Sequence, residues 1–176
     1  DKEDRAAATA GLAEATGSEV TGKTVTINRP RQEIYDFWRD FSNLPQVMDN
    51  VVSIEKLDDR RSRWTVKAPG GVSWTSQVTE DQPGELIAWT SEEDADVPNS
   101  GRIEFRDAPG NRGTWVTATI VYDPPAGIIG KAIAKMFQRE PHIQARRDLR
   151  RLKQLMETGE VATAARTKAQ YEEEQN

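Results

Sequence analysis

Between Lys23 and Asp123, apolar and polar side chains alternate in short runs, each closed by turn-forming residues, and this pattern predicts seven β-strands. The first is Lys23–Asn28, where Val25 and Ile27 alternate with Thr24 and Thr26. Pro30 suits the first turn of a helix, because its missing N–H would have no intrahelical partner there. Ile34, Phe37, Trp38 and Phe41 then recur at helical spacing, and Asn43, Leu44 and Pro45 restart a short second helix toward Met48. Val51–Leu57 ends at Asp58-Asp59. Arg63–Ala68 sets Trp64, Val66 and Ala68 on one face and ends at Pro69-Gly70-Gly71. Val72–Thr79 aligns Val72, Trp74, Ser76 and Val78 before Pro83-Gly84. Three further runs align Ile87, Trp89 and Ser91, then Gly101, Ile103 and Phe105, then Val116, Ala118, Ile120 and Tyr122. Trp115 falls on the opposite phase and is expected at the surface. Short connections between alternating strands imply an antiparallel meander.

After Pro124-Pro125 the period changes. Ile129, Ile133, Phe137, Ala145, Leu149, Leu152 and Met156 form one helical stripe running to about Thr158, with a kink expected at Pro141. An antiparallel sheet with one apolar face and a long helix with a matching stripe bury each other. The expected fold is therefore α+β: a helix-grip arrangement in which a seven-stranded curved antiparallel sheet wraps a long C-terminal helix, with two short helices between strands 1 and 2. Residues 1–21 and 159–176 are too poor in large apolar side chains to add to a core and are expected to be mobile acidic arms, which leaves 22–158 as the domain.

Charge agrees with that division. The chain carries a net −5; residues 1–20 contribute −3, residues 159–176 contribute −2, and the rest is neutral. A neutral domain with acidic ends lacks the electrostatic footprint of a nucleic-acid binder, so no nucleic-acid partner is expected. The absence of cysteine removes disulfides, thiol catalysis and thiolate metal sites, and His142 is the only histidine. No metal-ligand cluster or phosphate-binding glycine loop is present, so no metal or cofactor is expected. No apolar run reaches the ~20 residues that span a bilayer, and no signal-peptide pattern opens the sequence. A cytoplasmic protein is expected, with an anchor upstream of Asp1 left open.

Four segments carry a family likeness: Phe37-Trp38-Arg39-Asp40-Phe41 with Leu44-Pro45; Pro83-Gly84-Glu85-Leu86-Ile87-Ala88-Trp89; Val97-Pro98-Asn99-Ser100-Gly101; and Tyr122-Asp123-Pro124-Pro125. In these the chain resembles the START-like (SRPBCC, helix-grip) superfamily over residues 22–158. Within it, the chain is similar to bacterial polyketide cyclase/dehydrase-like proteins and to coenzyme Q-binding proteins. The resemblance implies enclosure of a hydrophobic small molecule (a lipid, quinone or polyketide-like compound) between sheet and final helix, and only some members catalyse a reaction.

On that footing Trp64, Val66, Trp74, Ser76, Trp89, Ile103 and Phe105 on the strands, with Ile133, Met136 and Phe137 on the helix, are the candidate ligand-binding residues. Each also has a plain reading as core: large rings fill a concave sheet as readily as they wall a cavity in it. Ser91 is a further inward polar position. If the domain is instead a cyclase or dehydratase, Tyr122 and His142 are its candidates for enolate donor and base. Neither belongs to a recognisable reactive constellation, and a lone histidine after a proline fits an exposed helix start. Arg146, Arg147, Arg150, Arg151 and Lys153 give residues 141–158 an excess of three positive charges. That stripe is either the solvated face of the last helix, where cations suit the dipole, or a contact for a membrane surface or a protein partner. Enclosure of a ligand without catalysis is the leading expectation, the enzyme the first alternative and docking the second.

Overall fold

The computed structural model describes residues 19–67, 71–93, 95, 97–122 and 141–160. Strands β1 (Glu19–Ile27), β2 (Val51–Lys56), β3 (Arg61–Val66), β4 (Val72–Gln82), β5 (Leu86–Ser91), β6 (Asn99–Asp107) and β7 (Thr114–Tyr122) form one curved sheet. Their order is β1-β7-β6-β5-β4-β3-β2, and every neighbouring pair is antiparallel. Helix α1 (Arg31–Arg39) and a 3₁₀ turn (Phe41–Gln46) separate β1 from β2, and α2 (Pro141–Thr158) follows the sheet. The expected α+β helix-grip fold is the fold observed.

Several elements depart from the alternation pattern, and β3 starts at Arg61 rather than Arg63. β1 starts at Glu19 rather than Lys23, because β7 runs on to Tyr122 and keeps pairing with it. β4 continues past Thr79 to Gln82 through a bulge between Val78 and Glu80. The second helix is a 3₁₀ turn that holds Pro45 inside it. Asp40 caps the turn, accepting from the backbone N–H of Ser42 at 3.2 Å.

β1 and β2 lie at opposite edges of the sheet, so the segment joining them crosses the concave face. That crossing explains its aromatic content. Ile34, Tyr35, Trp38, Phe41 and Leu44 are all buried against the strands. Helix α2 packs along β1 and buries Leu149 and Leu152. Long-range polar contacts fix it. Lys153 Nζ donates to the Thr26 carbonyl at 2.6 Å, Arg151 reaches Asp49 at 2.5 Å, and Arg29 Nε donates to the Met156 carbonyl at 2.8 Å. Arg29 thus satisfies a carbonyl that the helix end leaves without an N–H and sets a positive charge at the negative end of the dipole. Pro141 occupies the first position of α2, where a proline is tolerated. The kink expected there and the stripe residues Ile129, Ile133 and Phe137 fall outside the described residues, as does Met136.

Across β5 and β6, Trp89 pairs with Gly101. A Cβ on Gly101 would stand deep inside van der Waals contact with the Trp89 ring atoms Cζ2, Cε2 and Nε1, so the indole lies flat on a position only glycine can occupy. Gly101→Ala is therefore expected to destabilise the domain by about 3 kcal/mol, since a buried ring in a packed cluster has nowhere to retreat. Urea unfolding followed by tryptophan fluorescence measures this, and a loss under about 0.5 kcal/mol would contradict the packing argument.

Candidate functional site

The inward faces of β3, β4 and β5 carry a layer of aromatic rings. Trp64 and Trp74 sit opposite each other in register, with ring centroids 6.1 Å apart and planes 20° from parallel. Trp89 lies 6.4 Å from Trp64, at 19°. Phe41 meets Trp64 and Trp89 edge-on at 5.9 and 5.7 Å, and Trp38 lies 6.1 Å from Trp89. Period-two alternation on three adjacent strands aims these side chains at one space, and the crossing segment covers it from above.

The predicted ligand residues divide within this frame. Trp64, Trp74 and Trp89 come together as one layer, with Val66 buried on the same strand as Trp64. Phe105 packs elsewhere, edge-on to Tyr35 under α1 at 6.1 Å, and Ile103 is fully buried beside it on β6. Ser76 is buried and donates to the Thr90 carbonyl at 3.4 Å, while Ser91 Oγ accepts from the backbone N–H of Asn99 at 2.9 Å, so both serve strand-to-strand contacts. Ile133, Met136 and Phe137 lie outside the described residues. Tyr122 ends β7 and His142 stands in the first turn of α2, but the described residues do not include the side chains of either. Arg146, Arg147 and Arg150 are exposed, whereas Arg151 is turned onto Asp49 and Asp148. Trp115 is exposed, as its phase predicts.

One polar cluster was not legible from alternation. Before the β4 bulge the even-numbered residues Val72, Trp74, Ser76 and Val78 face inward, so a regular strand would point Asp81 outward. The extra residue at the bulge reverses the phase and pairs Asp81 with the buried Ile87. Asp81 thereby meets α1, where Tyr35 and Arg39 stand one helical turn apart. The Tyr35 hydroxyl donates to Asp81 Oδ1, and Arg39 Nε donates to Oδ2 at 2.8 Å. Arg39 also donates to the Asp59 carbonyl at 2.7 Å. Burial, then the bond to Asp81, pushes the Tyr35 hydroxyl up to about 12. Burial alone would raise the Asp81 carboxyl, but the bonds from Tyr35 and Arg39 and the guanidinium charge outweigh it and hold Asp81 below the usual carboxylate range. Both groups move away from neutrality, which suits a clamp between helix and sheet and not a general acid or base at pH 7.

Beside this clamp, the end of α1, the 3₁₀ turn and the β2–β3 hairpin enclose a cleft of about 630 Å³. Its floor is Phe41, Ile54, Ser62 and Val78, and its rim is charged, with Arg39 and Arg61 engaged by Asp81 and Glu92. Among the described residues, no three His, Cys, Asp or Glu side chains converge on a point that could hold a metal. Nor is any helix among them long and apolar enough to cross a membrane.

The clamp has a defined pH signature. Because the folded Tyr35 value lies above the ordinary 10.0, its contribution is complete below pH 10 and is lost as pH rises toward about 12. The Asp81 contribution runs the other way: it is present above about pH 4 and lost as pH falls below that. Tyr35→Phe is expected to cost about 2 kcal/mol at pH 7, where it removes a hydrogen bond to a carboxylate. The gap between the two proteins should then shrink between pH 10 and about 12 in urea titrations. A gap that stays constant across that range would rule out the assigned linkage.

The family model described as polyketide cyclase / dehydrase and lipid transport matches residues 27–150. A crystal structure from Deinococcus radiodurans is similar at 43% identity and a TM-score of 0.67, covering 81% of this chain and 100% of that one. One from Thermus thermophilus is similar at 24% identity and a TM-score of 0.58, covering 78% and 94%. The Zhui aromatase/cyclase of Streptomyces sp. R1128 shares the fold at 16% identity and a TM-score of 0.62, covering 82% and 99%. No curated protein matches the chain. With the expected sheet, the crossing helices and a family match that spans most of the domain, this chain belongs to the polyketide cyclase / dehydrase and lipid transport family.

Proposed function

We propose that the domain binds a hydrophobic small molecule, of lipid, quinone or polyketide-like character, between the concave sheet and the C-terminal helix, and does not convert it. The observation that carries this reading is the near-parallel layer of Trp64, Trp74 and Trp89 on the inward face. Flat rings of large area offer a guest dispersion contact and ring stacking while asking little of its polarity. The clamp of Tyr35, Asp81 and Arg39 supports a binding role, because its groups are engaged with one another and shifted away from the pH at which they could exchange protons.

Titration with the uncharged fluorophore N-phenyl-1-naphthylamine tests the proposal. Saturable binding with one site per chain is expected, with native mass spectrometry of gently purified protein reporting any guest carried from the cell. Trp64→Leu should weaken the fluorophore about tenfold, the equivalent of ~1.4 kcal/mol, by removing one stacking surface. Trp115→Ala, on the exposed face, should change nothing. Absence of saturable binding, or equal effects of the two substitutions, would remove the proposal.

A further inference from the structure

Strands β3 and β4 carry the same pair of residue types in mirror order. Ser62 and Trp64 on β3 stand opposite Ser76 and Trp74 on β4, serine facing serine and indole facing indole. The two halves are not used alike. Trp64 Nε1 donates to Ser62 Oγ at 3.0 Å, so its N–H is satisfied within its own strand. Ser76 instead donates to the Thr90 carbonyl, and Trp74 Nε1 is buried with no partner among the described residues. Trp74 as a whole is 6% exposed, and its nitrogen is shut off from bulk solvent. A buried donor left unpaired carries its full desolvation cost, which a bound acceptor would relieve.

Resting on the binding role proposed above, we infer that Trp74 Nε1 is the hydrogen-bond donor to the guest, and that the guest is a flat ring system bearing a carbonyl oxygen rather than a pure hydrocarbon. The stack supplies the preference for flatness, because Trp64 and Trp74 lie within 20° of parallel. The N–H supplies the preference for oxygen. An indole nitrogen only donates, so the partner must be an acceptor. Among the described residues Trp38 Nε1 is also a buried indole nitrogen without a partner, but it sits on α1 and outside the pair of facing strands.

Two probes with one carbon frame isolate the oxygen: menadione, which is 2-methyl-1,4-naphthoquinone, and 2-methylnaphthalene. The chain has no cysteine for the quinone to alkylate. The wild-type protein is expected to bind menadione about tenfold more tightly than the hydrocarbon, the effect of one neutral hydrogen bond at the upper end of its range. In Trp74→Phe that ratio should fall to about one, whatever the loss of stacking does to both affinities together. Trp64→Phe, whose N–H is already engaged by Ser62, should keep the preference. Independently of any variant, the indole region of a ¹H–¹⁵N spectrum should show the Trp74 proton moving downfield with menadione and not with 2-methylnaphthalene. Equal affinity of the two probes for the wild type, a preference that survives Trp74→Phe, or a downfield shift at Trp38 in place of Trp74 would each overturn the inference while leaving the binding role standing. Failure of both probes to bind would remove the two together.

Discussion

The concave face depends on one contact, the Trp89 indole lying flat over Gly101. A side chain on β6 at that point would lift the ring off the sheet. Lowered onto the backbone, the ring lines up with Trp64 and gives Phe41 and Trp38 a surface to meet. The glycine costs β6 some intrinsic strand preference and gains in return a buried aromatic layer of large area.

The layer must be covered, and topology supplies the cover. With β1 and β2 at opposite edges, the chain between them has to span the sheet, and it does so with two short helical pieces whose apolar sides face down. They are held in place by packing and also by the carboxylate of Asp81, which the β4 bulge turns inward to meet Tyr35 and Arg39. A single extra residue in one strand thereby couples sheet to helix, and the same clamp borders the charged cleft at the end of α1. On the opposite edge, Arg29, Arg151 and Lys153 do comparable work for α2 through two backbone carbonyls and one aspartate. The basic residues of the last helix are thus of two kinds: Arg151 and Lys153 face the domain, while Arg146, Arg147 and Arg150 face solvent.

These features give the concave face the aromatic lining of a hydrophobic ligand-binding fold. Aromatic area is concentrated on the inward side, and the ionisable groups nearest to it are engaged with one another. The family description spans cyclases, dehydrases and lipid transport, so membership by itself sets no reaction. Within that frame the local feature of this chain is two facing tryptophans with different hydrogen-bond fates.

Much of this was present in the sequence. Period-two alternation placed all seven strands, identified the inward faces of β3 and β4 before the bulge, and put Trp115 outside, because side-chain direction in a regular strand follows from parity alone. The aromatic spacing after Pro30 marked a buried helix for the same kind of reason. Parity fails wherever the count of residues is broken. The inward turn of Asp81 follows from a bulge that no residue type announces, and the reach of β1 back to Glu19 follows from the length of its partner. Which indole finds a serine, and which of the predicted ligand residues share one space, depended likewise on register between strands distant in sequence. Local chain chemistry fixed what each segment is, whereas contacts between segments decided what each side chain meets, since pairing and packing energies arise only once the strands are side by side.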